Sequence, residues 1–178
     1  VQQIQFIMSN NNSTDGHFLN CVLSGPPGCG KTSLAEVLFN IWMSLDLFES
    51  ENFAILHRSD FVGNFMGTTA NKSKKVLEKN KNGVIFIDEA YSLIAGKQDE
   101  YGKEALDVIN SFLSEEKGKT VMIIAGYQED LEDSFFKSNK GLERRFNWKF
   151  NIDGYNADQL YQIFIRQLEE YGWKCEKA

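Results

Sequence analysis

The chain has 178 residues, the length of one domain that can bury a core without metal or disulfide staples. Its 42% hydrophobic and 25% charged residues are an ordinary globular balance. With 19 basic and 25 acidic side chains the formal charge is −6, which disfavours general binding to nucleic acid or to an anionic membrane surface.

Residues 1–16 are read as an N-terminal arm or linker, because 9–16 (SNNNSTDG) are polar and aperiodic. The opening VQQIQFIMSN lacks the basic start and apolar run of a signal peptide. LNCVLS (19–24) predicts a strand that runs into a Gly/Pro-rich turn, and Leu34, Leu38, Ile41, Trp42 and Leu45 then recur at helical spacing. FAIL (53–56) predicts a second strand, and 68–80 a Lys-rich helix. GVIFID (83–88) and TVMIIA (120–125) are unbroken apolar strands, the pattern of a parallel sheet covered on both faces. Between them Leu106, Ile109, Phe112 and Leu113 mark a helix. A short helix near 128–137 leads to a last strand near 147–151. Asn156 reads as an N-cap for a final amphipathic helix carrying Leu160, Ile163, Phe164 and Leu168. Strands alternating with helices imply an α/β fold with a doubly wound parallel sheet. No apolar run approaches the ~20 residues that span a bilayer. Cys21, Cys29 and Cys175 have no metal-ligand spacing, and so sparse and odd a count suits the cytoplasm or another reducing compartment.

Two motifs carry chemistry. Gly25-Pro26-Pro27-Gly28-Cys29-Gly30-Lys31-Thr32 satisfies GxxxxGK[ST] between a strand and a helix, the P-loop or Walker A element. Glycines let the backbone wrap a phosphate chain with N–H groups turned inward, and the helix start adds its positive end. Lys31 is expected to bridge the β- and γ-phosphates of ATP, and Thr32 to place its hydroxyl on Mg²⁺. Cys29 fills a free position of the motif as a small packing residue. The second motif is Asp88-Glu89 at the end of an apolar strand, a Walker B element when it stands behind a P-loop. Asp88 is expected to hold Mg²⁺ through its water shell, and Glu89 to orient and deprotonate the attacking water. A site that only binds nucleotide needs no such base, so Glu89 argues for hydrolysis.

GPPGCGKTS (25–33) followed by VIFIDEA (84–90) resembles an AAA+ ATPase. SDFVGNFMGTTANKSKKVLE (59–78), YGKEALDVINSFL (101–113) and VMIIAGYQEDLEDSFFKSNKGLERRF (121–146) narrow the resemblance to the CbbX/SpoVK type, whose best-known members are red-type Rubisco activases. The resemblance implies a P-loop NTPase core over 17–152 with a five-stranded parallel sheet sandwiched by helices. It further implies a helical lid, of which 153–178 hold the start. Gly25 to Ser33 would bind nucleotide, with Ser33 extending the motif. Phe65-Met66-Gly67 falls at the tip of the family's first pore loop, where an aromatic grips a polypeptide in the channel of a hexameric ring. Gly63 and Gly67 flank that pair with flexible backbone. Tyr101-Gly102-Lys103 falls where a second pore loop is expected. Arg145 falls at the arginine finger, which acts in trans on a neighbouring copy's nucleotide. Arg144 stands where relatives carry a small residue, so the finger lies between the two. Tyr127 falls at the sensor after the fourth strand, where it either touches the nucleotide or a catalytic water, or only packs. Asn139-Lys140-Gly141 departs from the relatives' NPG, and Asp153 from their Pro.

The implied function is an ATP-driven protein-remodelling motor that works as a ring of its own copies on a partner polypeptide. A DNA-directed clamp or helicase loader would place basic residues where Phe65 and Met66 stand, and a nucleotide-gated scaffold would not need Glu89 and Arg145. The lysines at 72, 74, 75, 79 and 81 are read as a solvated helix face.

Overall fold

A computed structural model describes residues 18–48, 50–65 and 67–173. The N-terminal arm, His17 at the expected core boundary, Met66 and Cys175 lie outside the described residues.

Five short strands form one parallel sheet: β1 (Cys21–Ser24), β2 (Phe53–Leu56), β3 (Val84–Ile87), β4 (Val121–Gly126) and β5 (Trp148–Asn151), in spatial order β2-β3-β4-β1-β5. The central strands β3 and β4 are wholly buried. Successive side chains on a strand point to opposite faces, so each apolar strand feeds two cores. Val22, Ile85, Ile87, Met122 and Ile124 enter one core with Leu106 and Ile109. Cys21, Leu23, Phe86, Ile123 and Ala125 enter the other with Ala35 and Trp42. Each such fully buried large apolar side chain stabilises the fold by roughly 1.5–3 kcal/mol.

Helix α1 (Lys31–Ser44) covers the second core. On the other face lie α2 (Arg58–Phe61), α3 (Thr69–Lys79) and α4 (Glu100–Glu115). Helix α3 buries Thr69, Ser73 and Leu77 and leaves its lysines exposed, as the solvated-face reading requires. The segment after β4 starts as α5 (Gln128–Asp130) and continues as a π-helix (Leu131–Phe136). The wider π turn brings Phe135 and Phe136 together against Phe146, with ring centroids 5.2–5.9 Å apart in edge-on contacts. Helix α6 (Lys140–Glu143) and β5 follow.

The last helix, α7 (Ala157–Glu170), begins with the expected cap: the Asn156 side chain accepts from Gln159 N–H, and Gln159 reaches back to Asn156 N–H. Its apolar face is only partly covered by the described residues: Ile163 and Leu168 are half-buried, and Leu160, Tyr161 and Phe164 are exposed. Tyr101-Gly102-Lys103 differs from its expectation as a loop. It forms the first turn of α4, because Asp99 caps that helix by accepting from Gly102 N–H at 2.9 Å. No described helix is long and apolar enough to cross a membrane.

Candidate functional site

In a parallel sheet all carboxyl ends emerge on one edge, and ligands of such folds bind in the crevice there. The turn after β1, the end of β3 and the end of β4 meet at that edge. They enclose a cavity of about 350 Å³ lined by Pro27, Gly28, Gly30, Lys31, Thr32, Ser33, Asp88, Glu89, Tyr91, Gly126 and Tyr127. Residues from three distant motifs thus share one space. Cys29 is buried beneath the loop, as expected of a packing residue.

Gly30 is the residue before α1 and sits in the left-handed region, φ 85°, and no described side chain caps the helix, so its first amides are free for a ligand. Lys31 Nζ donates to Gly25 O (3.1 Å) and Pro26 O (2.8 Å), so the cation already lies along the loop. It also stands 5.9 Å from the centre of the Tyr127 ring. Tyr127 in turn stacks on Tyr91, with centroids 6.0 Å apart.

Glu89 adopts φ 48° and ψ 46°, a left-handed conformation uncommon for a non-glycine residue and typical of strained functional positions. Its N–H donates to Asp88 Oδ1 at 2.9 Å, which holds the Asp88 carboxylate against the turn that begins at Glu89. Asp88 is half-buried and Glu89 exposed. The Tyr91 hydroxyl is pushed up to about 12, by burial first and then by the charge and hydrogen bonding of Glu89. Tyr91 therefore stays a neutral donor beside the Glu89 carboxylate. Sequence reasoning missed it. Its one signal was a position two residues after Glu89 in a turn.

The turn after Glu89 is a 3₁₀ helix (Ala90–Leu93) that is braced from below. Arg58 NH1 donates to Ser92 O (3.3 Å) and to Leu93 O, and pairs with Asp99 Oδ2 at 2.7 Å. Burial of the Asp99 carboxylate works against its charge. Bonds from Arg58, Ala95 N–H and Gly102 N–H outweigh that burial and hold its pKa down at about 2.

The other expected residues lie outside the cavity. Phe65 is 73% exposed, on a loop whose backbone is pinned by Thr68: Thr68 Oγ1 donates to Phe65 O at 2.7 Å. Lys72 Nζ supports the approach to this loop by donating to Ser59 O and Val62 O. Gly67 is exposed beyond it. Arg145 is held within its own chain: Nε and NH2 donate to Ser114 Oγ at 3.0 and 2.6 Å, and NH1 donates to Gly141 O at 2.7 Å. The guanidinium also lies 5.8 Å from the centre of the Phe18 ring. Arg144 beside it is exposed.

Residues 21–151 match the model of the family described as "ATPase family associated with various cellular activities (AAA)". The chain is 35% identical over 158 residues to the ESX-3 secretion system protein EccA3 of Mycolicibacterium smegmatis, covering 88% of this chain and 26% of that protein. It is 32% identical over 152 residues to stage V sporulation protein K of Bacillus subtilis, covering 85% of this chain and 47% of that one. The chain therefore spans between a quarter and a half of these relatives' length. The crystal structure of the FIGL-1 AAA domain in complex with ADP aligns over 98% of this chain and 56% of that one, with a TM-score of 0.67. At 18% identity that likeness speaks for the fold alone.

Proposed function

The chain belongs to the AAA family of ATPases, and on that premise we propose that it hydrolyses ATP within a ring of its own copies and uses the Phe65 loop to move a partner polypeptide. The observation that carries this reading is the single cavity shared by Lys31, Thr32, Asp88 and Glu89.

In this reading the phosphate chain lies along Gly25–Ser33. Lys31 exchanges its bonds to Gly25 O and Pro26 O for the β- and γ-phosphate oxygens. Thr32 and Asp88 line the same cavity and are both hard oxygen donors, a set that fits Mg²⁺, which keeps several waters and takes few protein ligands. When bound, that ion supplies neutralisation of phosphate charge. Glu89, carried on the strained turn after β3 and neighboured by the neutral Tyr91 donor, accepts the proton of the attacking water. Tyr127 stands between Lys31 and Tyr91, where it senses the γ-phosphate end of the site.

Arg145 belongs to a separate face and acts on the neighbouring copy's nucleotide. To do so it leaves Ser114 and Gly141 O, while Arg144 beside it already faces outward. The exposed Phe65 supplies an apolar grip suited to peptide side chains rather than to a phosphate backbone.

The test is subunit mixing. An Arg145→Ala copy keeps an intact pocket, and a Lys31→Ala copy keeps an intact finger. Mixed rings are expected to recover hydrolysis that neither variant has alone, and the same mixing with Arg144→Ala assigns the finger between the two arginines. Rings that demonstrably mix and recover nothing with either arginine variant contradict a site shared between copies.

A further inference from the structure

The segment that follows β5 is packed along the phosphate loop. Ile152 N–H donates to Ser24 O at 2.7 Å at the loop's root. Ile152 O then lies so near Gly25 that a Cβ there would stand 2.4 Å from it. Farther along, Gly154 faces the Pro26 ring. The run ends at Tyr155, whose hydroxyl donates to Cys29 O at 2.9 Å across 126 residues of sequence. The Tyr155 hydroxyl oxygen would also stand 3.0 Å from a Cβ on Gly30. The next residue, Asn156, is the cap of α7. Tyr155, Cys29 and Gly30 also share a second crevice, between the loop and α7, with Ile163 and Arg166.

Cys29 C=O and Gly30 N–H belong to one peptide unit. In a trans peptide those two groups point in opposite directions. A hydroxyl that fixes the Cys29 carbonyl therefore fixes the Gly30 N–H on the other side, and N–H groups of such a loop are what cradle a phosphate chain. Without that bond the Cys29–Gly30 peptide keeps more rotational freedom, because glycine permits it.

We propose that Tyr155 is a positioning residue of the phosphate loop: its hydroxyl sets the Cys29–Gly30 peptide for phosphate binding and passes the loop's occupancy to α7. The inference rests on the reading that this loop binds nucleotide. Tyr155 touches no phosphate itself. It acts through the Cys29 carbonyl on one side and through the cap of α7 on the other.

The probe is ADP, added to the wild-type chain, to Tyr155→Phe, which removes one oxygen and keeps the ring, and to Tyr155→Leu, which removes both. Calorimetry gives the affinity, and amide hydrogen exchange over 157–170 gives the response of α7. A lone hydrogen bond of this kind predicts a loss of about two- to tenfold in ADP affinity. That loss should be nearly the same in both variants, with melting temperatures close to wild type. ADP should slow exchange in α7 of the wild type and leave it unchanged in both variants, a readout that a purely structural tyrosine would not move. Wild-type affinity in Tyr155→Phe with loss only in Tyr155→Leu would assign the effect to ring packing and overturn the proposal. An intact α7 response in Tyr155→Phe would overturn the coupling. A wild-type chain that fails to bind ADP would sink the nucleotide reading and this inference together, whereas equal binding by wild type and Tyr155→Phe sinks the inference alone.

Discussion

Replacing Phe65 with alanine separates the two places a loop phenylalanine can sit. Phe65 is 73% exposed, whereas Phe61, four residues earlier on α2, is 0% exposed. Truncating a buried Phe costs about 3–5 kcal/mol. At about 2–4 °C per kcal/mol for a domain of this size, Phe61→Ala should lower the melting temperature by about 6–20 °C. A surface substitution stays within about 0.5 kcal/mol, so Phe65→Ala should shift melting by no more than about 2 °C. The bonds between the Phe65 backbone and the Thr68 hydroxyl survive the change, because they use no side-chain atom of Phe65. Thermal melting of both variants and steady-state ATP turnover form the assay. Phe65→Ala should keep its turnover and lose work on a partner polypeptide. If Phe65→Ala melts as low as Phe61→Ala, the ring is part of the core and the polypeptide grip has no basis.

Three further outcomes follow from the geometry. Lys31→Ala should abolish ATP binding in a titration, because the phosphate chain loses its cation, and tight binding by that variant would contradict the placement of the phosphates. Asp99 has a folded pKa of about 2, below its unfolded value. Its charge therefore stabilises the fold above the unfolded pKa, and the gain is lost as pH falls from about 4 toward 2. The Asp99 side chain is only 7% exposed, so the gain is on the order of 2 kcal/mol. Asp99→Asn should melt about 4–8 °C lower near neutral pH, with the gap narrowing toward pH 2. A gap constant with pH would show that Arg58 does not hold the charged form. Tyr91→Phe should slow turnover severalfold with little change in ATP affinity, as measured by comparing kcat with binding; an unchanged kcat would remove Tyr91 from the neighbourhood of the reacting water.

The first four strands were legible because they are short, nearly pure apolar runs, and β3 and β4 are indeed buried from end to end, whereas β5 (WKFN) is half polar and mostly exposed. Lys31, Thr32, Asp88 and Glu89 were legible because their motifs are local, and the parallel sheet then had to bring them to one edge. Contacts between distant segments left no such trace. The Tyr155 bond to Cys29 spans 126 residues, and nothing in GYNAD around Tyr155 announces it. Tyr91 lies in a turn, where no periodicity marks a side chain as inward. Tyr101-Gly102-Lys103 was expected as a loop from the resemblance alone, yet the Asp99 cap starts α4 ahead of Gly102. The periodicity of α7 correctly gave a helix with one apolar face, but periodicity does not say what covers that face. Likewise, the resemblance singled out Arg145 without revealing that Ser114 and Gly141 hold it.

The central claim is that this cavity hydrolyses ATP with Glu89 as the base, and Glu89→Gln tests it most directly. ATP affinity and turnover are measured separately on the same preparation. Glutamine keeps the shape of the side chain and cannot accept the proton, so ATP should bind as in wild type while hydrolysis falls by about 10²-fold or more. Turnover at the wild-type rate in Glu89→Gln would contradict the account, because the cavity would then lack the base on which the mechanism depends.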